Sequence, residues 1–444
     1  MKKISFIILC GVLTFGCEID EQINPNAPAV ENIAEGATET DLNNLVTGVL
    51  ARMRNSYSIY ATATGTITRE LYLFDADPRN TTDLIGTEGA LDNDSFYTTA
   101  NWINRYRTIK NCNILLESLP NADESVSAAE RDGYSGFAKT MIAHQFLIIW
   151  GAYFDSGIRL DVDDPDDFGP LVTDEAQVLQ YVRDLLDEAN DELAGAEFAM
   201  IFTSGFDGFD TPTTFAQFNR ALAARAAIYA GDGAAALNHL DDSFFDINGD
   251  LNVGPKMIFS TTGGDLLNDL FKTPGQNGNQ IFASDTWINE AQAGDPRVSE
   301  KVTQRASSFT KSGITVNYET NLYATSTSPI DIIRNEELML IYAEANITDG
   351  TNAEALAGIN AVRAGWGWAN PLAGTVTIDD VLYERRYSLW GEAHRMVDLR
   401  RTGNLNETYV TLDPVTTTDD DGNVIPATQE IFNQFPVPLD EVGN

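Results

Sequence analysis

The sequence predicts a mostly α-helical single domain in which paired helices form a scaffold and one loop-rich region stands apart from it. Apolar residues recur at intervals of three and four over most long segments, as they do on the buried face of a helix. One of these segments, 215–232, is rich in alanine, which lets neighbouring helices pack closely. One long polar segment, residues 60–97, lacks this period and contains scattered aromatic residues. Long irregular segments of compact domains are usually functional or disordered, so we expect the loop-rich region there.

The most informative periodic stretch lies near the C-terminal end. Leu382 and Met396 fall on its apolar face, and arginine and carboxylate side chains crowd the other faces. Thr377 supplies a start signal and Gly403 a stop signal. The sequence therefore predicts one helix between them, carrying a structural network of ion pairs in which Arg395 takes part.

Further segments show the same helical period. Ordered structure is expected to begin near residue 40, and alanine is most frequent in the segment that starts at residue 215. The segments predicted to be helical are 40–53, 102–116, 127–150, 173–193, 215–232, 331–345 and 353–363.

The N-terminal residues 1–16 are predicted to be a secretory signal peptide. Two lysines follow Met1, and the apolar run 4–12 is too short to span a bilayer. Gly16 then precedes Cys17 in a way that resembles a bacterial lipobox, which implies that Cys17 carries a lipid anchor. An ordinary signal peptide whose apolar run ends at a cysteine is the alternative interpretation.

The signal peptide is followed by a tether and then by the folded domain. Residues 17–38 contain an Asn-Pro-Asn-Ala-Pro sequence without any period, which predicts a flexible tether. Its first residues are acidic and resemble the export signal that sends lipoproteins to the outer face of an outer membrane. Residues 39–444 are predicted to form a single domain. Cys112 is the one cysteine within it, so that domain has no internal disulfide.

The charge of the chain limits the class of ligand. The formal net charge is −38, from 66 acidic and 28 basic residues. Nucleic acid is excluded on this ground, because phosphate binding needs clustered lysine and arginine. Polyanionic glycans are disfavoured unless a local basic patch overrides the field. A neutral polysaccharide fits the charge better.

Several motifs, in order along the chain, resemble one protein family. The signature Glu384-Arg385-Arg386 continues through Glu392 and His394-Arg395 to a final Asp-Leu-Arg-Arg-Thr-Gly. This pattern resembles the end of the SusD/RagB family, outer-membrane nutrient-binding lipoproteins of Bacteroidota. Segments 102–116, 215–232, 334–345, 295–297 and 435–438 resemble other parts of the same family.

The resemblance implies a fold, a location and partners. The implied SusD-like fold uses tetratricopeptide-like helix pairs as its scaffold, with the ligand site on loops that emerge from it. The implied protein is anchored by lipid to the outer membrane and faces the extracellular side. There it would bind a polysaccharide or oligosaccharide and deliver it to a SusC-like TonB-dependent transporter. It would act without catalysis or a cofactor.

Candidate ligand-binding residues follow from the chemistry of sugars. A pyranose offers a face of C–H groups to an aromatic ring and an edge of hydroxyl groups to polar side chains. We therefore select aromatic residues outside the helical stripes, and expect Trp366 and Trp368 to point the same way if they lie in a strand. Burial in the core is the alternative for each ring. The candidates are Tyr72, Tyr97, Trp287, Tyr323, Trp366 and Trp368 for the rings, and Asp75, Asp77 and Arg79 for the polar edge.

Catalytic and metal motifs are weak in this sequence. His144, His239 and His394 lie on separate predicted helices without metal-ligand spacing, so we interpret them as structural. Acidic residues at 161–167 and 246–252 could bind structural calcium, although the second segment departs from the EF-hand pattern. We interpret the first as a solvated loop and the second as a turn or hairpin.

Two alternatives to a binding protein stay open at this stage. The chain contains enough acidic residues to supply the carboxylate pair of a surface glycoside hydrolase, but no motif selects one pair. A helical-repeat adaptor that binds only protein is the other alternative. We favour glycan capture, with a neutral glycan such as a β-glucan as the ligand.

Overall fold

The computed structural model describes residues 36–164, 168–418 and 421–442. The predicted signal peptide, Cys17 and the tether up to residue 35 lie outside the described residues. No helix in the described ranges combines the length and the apolar character needed to cross a membrane.

Helices dominate the described chain, which confirms the mostly α-helical fold. The helices are α1 (Glu39–Arg52), α2 (Tyr57–Ile67), α3 (Phe96–Ser118), α4 (Ala128–Tyr153), α5 (Glu175–Leu193), α6 (Pro212–Tyr229), α7 (Gly233–Asp241), α8 (Asp285–Asn289), α9 (Pro296–Lys301), α10 (Asn335–Thr348), α11 (Asn352–Gly365), α12 (Ile378–Ser388) and α13 (Arg395–Arg401). Consecutive helices pack against each other, notably α4 on α5, α6 on α7 and α10 on α11. The tetratricopeptide-like character of these pairs stays a prediction.

Strands of two to ten residues accompany the helices. They are β1 (Leu71–Phe74), β2 (Ile158–Arg159), β3 (Leu171–Val172), β4 (Lys256–Met257), β5 (Gln280–Ala283), β6 (Val302–Lys311), β7 (Ile314–Thr320), β8 (Ile330–Asp331), β9 (Thr416–Thr418) and β10 (Val424–Pro426). Four of them form an antiparallel sheet in the order β1-β5-β7-β6. In this sheet Tyr72 lies opposite Phe282, and Tyr318 lies opposite both Ala283 and Gln304.

The signature stretch contains two helices, so the prediction of one helix there is wrong. Thr377 does cap α12, and Gly403 follows α13 with a positive φ of 72°. Between them the chain leaves the helix at Ser388, whose carbonyl accepts hydrogen bonds from the buried Lys301 and Arg334. Those cations hold the carbonyl, and Gly391 then turns the chain at φ 79°.

The expected irregular segment between residues 60 and 97 is only partly irregular. Its first residues complete α2, where Ala61, Ala63 and Ile67 are buried, and β1 follows. Turns and one short 3-10 helix, Pro78–Asn80, occupy the rest up to the start of α3. The loop-rich part is thus shorter than predicted and starts after Phe74.

The predicted ion-pair network is present and mostly buried. Arg297 binds Glu384 at 2.7 Å, and Arg385 binds Asp398 at 2.6 Å. Arg395 makes a longer contact, 3.7 Å, with the Glu70 carboxylate. Because these residues come from distant parts of the sequence, the network joins the signature helices to the sheet and to the loops beside it.

Candidate functional site

A polar surface follows the end of strand β1. We name it the Arg79 surface and define it by Asp75, Asp77, Arg79, Phe96 and Lys311. The first three are sequence-predicted site residues, and the structure brings them together at the start of the loop-rich segment. All five are half-buried or exposed, so the surface is open to solvent.

Short-range hydrogen bonds fix the backbone of this surface. The Asp75 carboxylate accepts from the Asp77 backbone N–H at 2.9 Å and from the Asn80 side chain at 2.8 Å. Asp77 caps the short 3-10 helix by accepting from the Arg79 backbone N–H at 3.1 Å. Aspartate is suited to such turns because its short side chain reaches the backbone two residues ahead.

Arg79 lies at the centre of the surface. Its guanidinium donates to both Asp77 oxygens, at 3.0 and 2.7 Å, and lies 5.0 Å from the centre of the Phe96 ring. Hydrogen bonding from Arg79 lowers the pKa of Asp77, so the carboxylate stays ionised. The aspartate and the ring hold the guanidinium in one orientation, and 47% of the Arg79 side chain is exposed.

Two lysines border Asp75. Lys311, from the end of β6, donates to the Asp75 carbonyl. Lys272 donates to Asn279 at 2.7 Å, and burial lowers the pKa of its ammonium while the Asp269 and Asp75 carboxylates oppose that effect. The surface therefore presents charges of both signs, with hydrogen-bond donors and acceptors side by side.

Sequence reasoning missed Phe96 and the two lysines. Phe96 is the first residue of α3, directly after the N-cap Ser95, and that start signal could have separated it from the buried helical stripe. The lysines come from other parts of the chain, and no local signal places them beside Asp75.

Three predicted ring platforms are buried, so the expectation that they are exposed is wrong. Tyr72 belongs to a small core on the sheet, and its hydroxyl donates to Asp413 at 2.5 Å. Tyr97 lies inside α3 and donates to Asp83 at 3.0 Å. The Trp287 ring is 0% exposed and lies 5.1 Å from both the Tyr387 and Trp390 rings. None of these faces is open to a ligand.

The other predicted rings are also engaged by the protein. Trp368 is buried, with the Arg363 guanidinium 4.5 Å from its ring centre. Trp366 is half-buried and donates to Glu336 at 2.6 Å. Trp366 is the C-cap of α11 and Trp368 lies in irregular chain two residues later, so neither is in a strand and the predicted common direction has no basis. Tyr323 is half-buried against the main core.

The predicted acidic loops differ in outcome. Residues 246–252 form turns, as interpreted from the sequence, with the Asp246 carboxylate accepting from the Asn248 backbone at 2.9 Å. Residues 165–167 of the other acidic loop lie outside the described residues. Over the ranges that the structure does describe, no group of three or more His, Cys, Asp or Glu side chains is placed to hold a metal ion.

His144 is buried, and His239 and His394 are half-buried. His144 and His394 line one small cavity of about 40 Å³, together with Tyr57 and Glu392. Burial lowers the pKa of His394 to about 4 and that of His144 to about 3, so both rings are neutral at pH 7. Ligand pockets measure about 300–1,000 Å³, so this cavity cannot admit a sugar.

Carboxyl groups with a raised pKa are also internal. Burial raises the pKa of Glu70, Glu392 and Asp413. Glu70 binds Arg386, Glu392 binds Arg334, and Asp413 accepts from Ser284 at 2.8 Å. Each of these groups has a structural partner, so none is poised as an exposed general acid.

The comparisons with known proteins agree with this architecture. Residues 314–442 match the model of the SusD family. Surface glycan-binding protein A from Bacteroides thetaiotaomicron is similar in structure, with a TM-score of 0.70, 15% sequence identity, and coverage of 91% of this chain and 97% of that one. Its complex with laminarihexaose gives a TM-score of 0.68 at 15% identity, with the same coverage. A SusD superfamily protein from Bacteroides vulgatus gives 0.67 at 16% identity, covering 91% of this chain and 96% of that one. No curated protein matches the chain.

The fold defines the class of this protein as a helical scaffold of SusD-like architecture. The signature residues Glu384, Arg385 and Arg386 fall inside the matched range. The resemblance to the SusD/RagB family is therefore confirmed.

Proposed function

We propose that this protein is a non-catalytic surface glycan-binding protein that captures a neutral polysaccharide or oligosaccharide. One observation carries the proposal: over 91% of its length, the chain is similar in fold to a surface glycan-binding protein whose structure was solved in complex with laminarihexaose. The exposed Arg79 surface also supports it, because its side chains can form hydrogen bonds with sugar hydroxyl groups. A β-glucan is the favoured class of ligand.

The Arg79 surface suits the hydroxyl edge of a sugar. Vicinal hydroxyl groups both donate and accept hydrogen bonds, so they pair with a guanidinium and a carboxylate placed next to each other. Arg79 and Asp77 offer that combination, and Asp77 keeps Arg79 oriented before a ligand arrives. Phe96 supplies an apolar edge beside them. Because the groups are already ordered, binding costs little side-chain entropy.

The charge of the whole chain supports a neutral ligand. With a net charge of −38, the protein repels polyanions at long range. Lys272 interacts electrostatically with the Asp269 and Asp75 carboxylates, and Lys311 interacts with that of Asp77, so the Arg79 surface does not form the basic patch that an acidic polymer would need.

The rest of the proposed role concerns location and delivery. Cys17 would carry the lipid anchor, which holds the domain on the extracellular side of the outer membrane. The captured glycan would pass to a SusC-like TonB-dependent transporter. The family resemblance supports both steps. A fatty-acid probe tests the first, because it should label the wild-type chain and leave a Cys17→Ala variant unlabelled.

Affinity gel electrophoresis tests the proposed function. The purified protein is run through gels that contain neutral or acidic polysaccharides, and new reducing ends are assayed after overnight incubation with each polymer. Retardation by a neutral polymer without new reducing ends supports capture. Release of reducing ends would indicate a glycoside hydrolase instead, and the absence of retardation in every gel would favour a protein-binding adaptor.

A further inference from the structure

A groove of about 440 Å³ lies beside the sheet at the end away from the Arg79 surface. We name it the Tyr318 groove. One wall carries Tyr318 and Gln304, and the other is the chain from Ala291 through the start of α9. Its volume falls within the range of small-molecule pockets.

The groove is separate from the Arg79 surface. Tyr318 lies opposite Ala283, which in turn lies opposite Leu71, the first residue of β1. Asp75 follows the last residue of that strand. Asp75 is thus about 13 Å from Tyr318 along the strands and about 10 Å from it across them.

The lining of the groove is almost free of charge. Among the described residues that line it, Asp295 alone is charged. Its carboxylate is 0% exposed and accepts from Arg297 at 2.9 and 2.7 Å and from Tyr383 at 3.1 Å. In a chain of net charge −38, an uncharged groove favours a neutral ligand over an ionic one.

The arrangement of side chains matches a sugar. Tyr318 and Gln304 are directly opposite each other on neighbouring strands, so a ring and an amide share one face. Ser299 and Gln292 expose a hydroxyl and an amide on the other wall. Val298 adds an apolar contact, so the groove offers a ring for the C–H face and polar groups for the hydroxyl edge.

The ion-pair network holds this groove in shape. Arg297 donates to Glu384 at 2.7 Å and to the Ser388 hydroxyl at 3.0 Å, which fixes the start of α9 against α12. The Gln292 backbone donates to the Tyr383 hydroxyl at 2.8 Å. A wall anchored in this way keeps its polar groups in place, as a specific binding site requires.

We propose that the Tyr318 groove is a second carbohydrate site, which takes one neutral segment of the glycan. This inference rests on the proposed function, since it assumes that the chain binds a glycan. It adds a place and a chemical class: an uncharged sugar stacked on Tyr318 and hydrogen-bonded by Gln304.

Variants of the groove test the proposal in gels that contain laminarin, dextran, galactomannan or mannan. The effect is measured with the polymer that the wild type binds. Tyr318→Ala should weaken retardation roughly 5- to 10-fold, and Gln304→Ala should weaken it roughly 2- to 5-fold. Tyr318→Phe keeps the ring and should retain most of the binding. Thr303→Ala is the matched control. Thr303 is exposed and directly precedes Gln304 on β6, so its side chain lies on the opposite face of the sheet.

The outcomes separate the two proposals. If the wild type is retarded and both Gln304→Ala and Tyr318→Ala are retarded equally, the proposal that the groove binds sugar is overturned. Glycan capture then still stands. Weaker retardation in both, with melting temperatures equal to that of Thr303→Ala, supports the groove. Lack of wild-type retardation in these gels and in the acidic gels of the capture test overturns glycan capture and the groove with it. Gln304 is exposed, so its variant remains a valid test if Tyr318→Ala proves unstable.

Discussion

The Arg297 guanidinium and the Glu384 carboxylate form a fully buried ion pair, with Nη1 2.7 Å from Oε2 and neither side chain exposed. Arg297 also binds Asp295, and Glu384 also binds Arg363. The pair therefore joins two of the motifs that resemble the SusD/RagB family and connects α9 to α12. Its energetic role follows from the rule that a lone charge in the interior is very costly.

Arg297→Met should lower the free energy of unfolding by roughly 3–5 kcal/mol, because it leaves the Asp295 and Glu384 carboxylates without their shared cation. Urea titration followed by circular dichroism measures the loss. Arg79→Met is the matched control, since its pair with Asp77 is exposed and should cost about 1 kcal/mol or less. Equal losses in the two variants would show that the buried network is not stabilising.

Trp287→Ala should also lower the free energy of unfolding, by roughly 3–5 kcal/mol. The ring is fully buried between Tyr387 and Trp390, so its removal leaves a cavity in the core. Thermal melting of Trp287→Ala and Trp366→Ala compares a buried with a half-buried tryptophan. An unchanged melting temperature for Trp287→Ala would contradict this packing.

Stability should fall as the pH falls from about 7 to about 4. Burial lowers the pKa of His394 to about 4 and that of His144 to about 3, whereas an unfolded histidine titrates near 6.5. The unfolded state therefore binds more protons in this window, which costs up to about 3 kcal/mol per histidine. Calorimetric melting at several pH values measures the slope, and a His144→Gln/His394→Gln variant should flatten it. A wild-type curve that is already flat would show that the rings are not held neutral.

Arg79→Ala should weaken glycan binding roughly 5- to 20-fold while the melting temperature stays within a degree or two, because the side chain is exposed. Arg107→Ala makes the same change in charge at another exposed position, on α3, and controls for it. Affinity gels report the binding of both variants. If the two variants lose binding equally, the effect comes from the net charge and not from the Arg79 surface.

Local patterns in the sequence were sufficient to predict the helical scaffold and to select three residues that lie together in the candidate site. The period of the apolar residues predicted the long helices. Asp75, Asp77 and Arg79 are close together in the sequence, so they were expected to lie near one another. These features depend on neighbours within a few positions, and such neighbours are visible in a sequence.

Contacts between distant residues explain where the sequence analysis failed. Trp287 lies in a short polar segment, yet it packs against Tyr387, which belongs to a helix far away along the chain. The break after Ser388 depends on Lys301 and Arg334, whose side chains reach it from other elements. No local period reports such partners, so ring burial and the helix break could be learned only from the structure.

A glycan array shows whether the protein captures neutral glycans. The labelled protein is applied to immobilised neutral and acidic oligosaccharides, and Arg79→Ala is applied in parallel. We expect binding to one family of neutral glycans, with a Kd in the micromolar to millimolar range, which corresponds to a binding free energy of about −8 to −4 kcal/mol. The signal for Arg79→Ala should be weaker. Binding to acidic glycans alone, or to none, would contradict it.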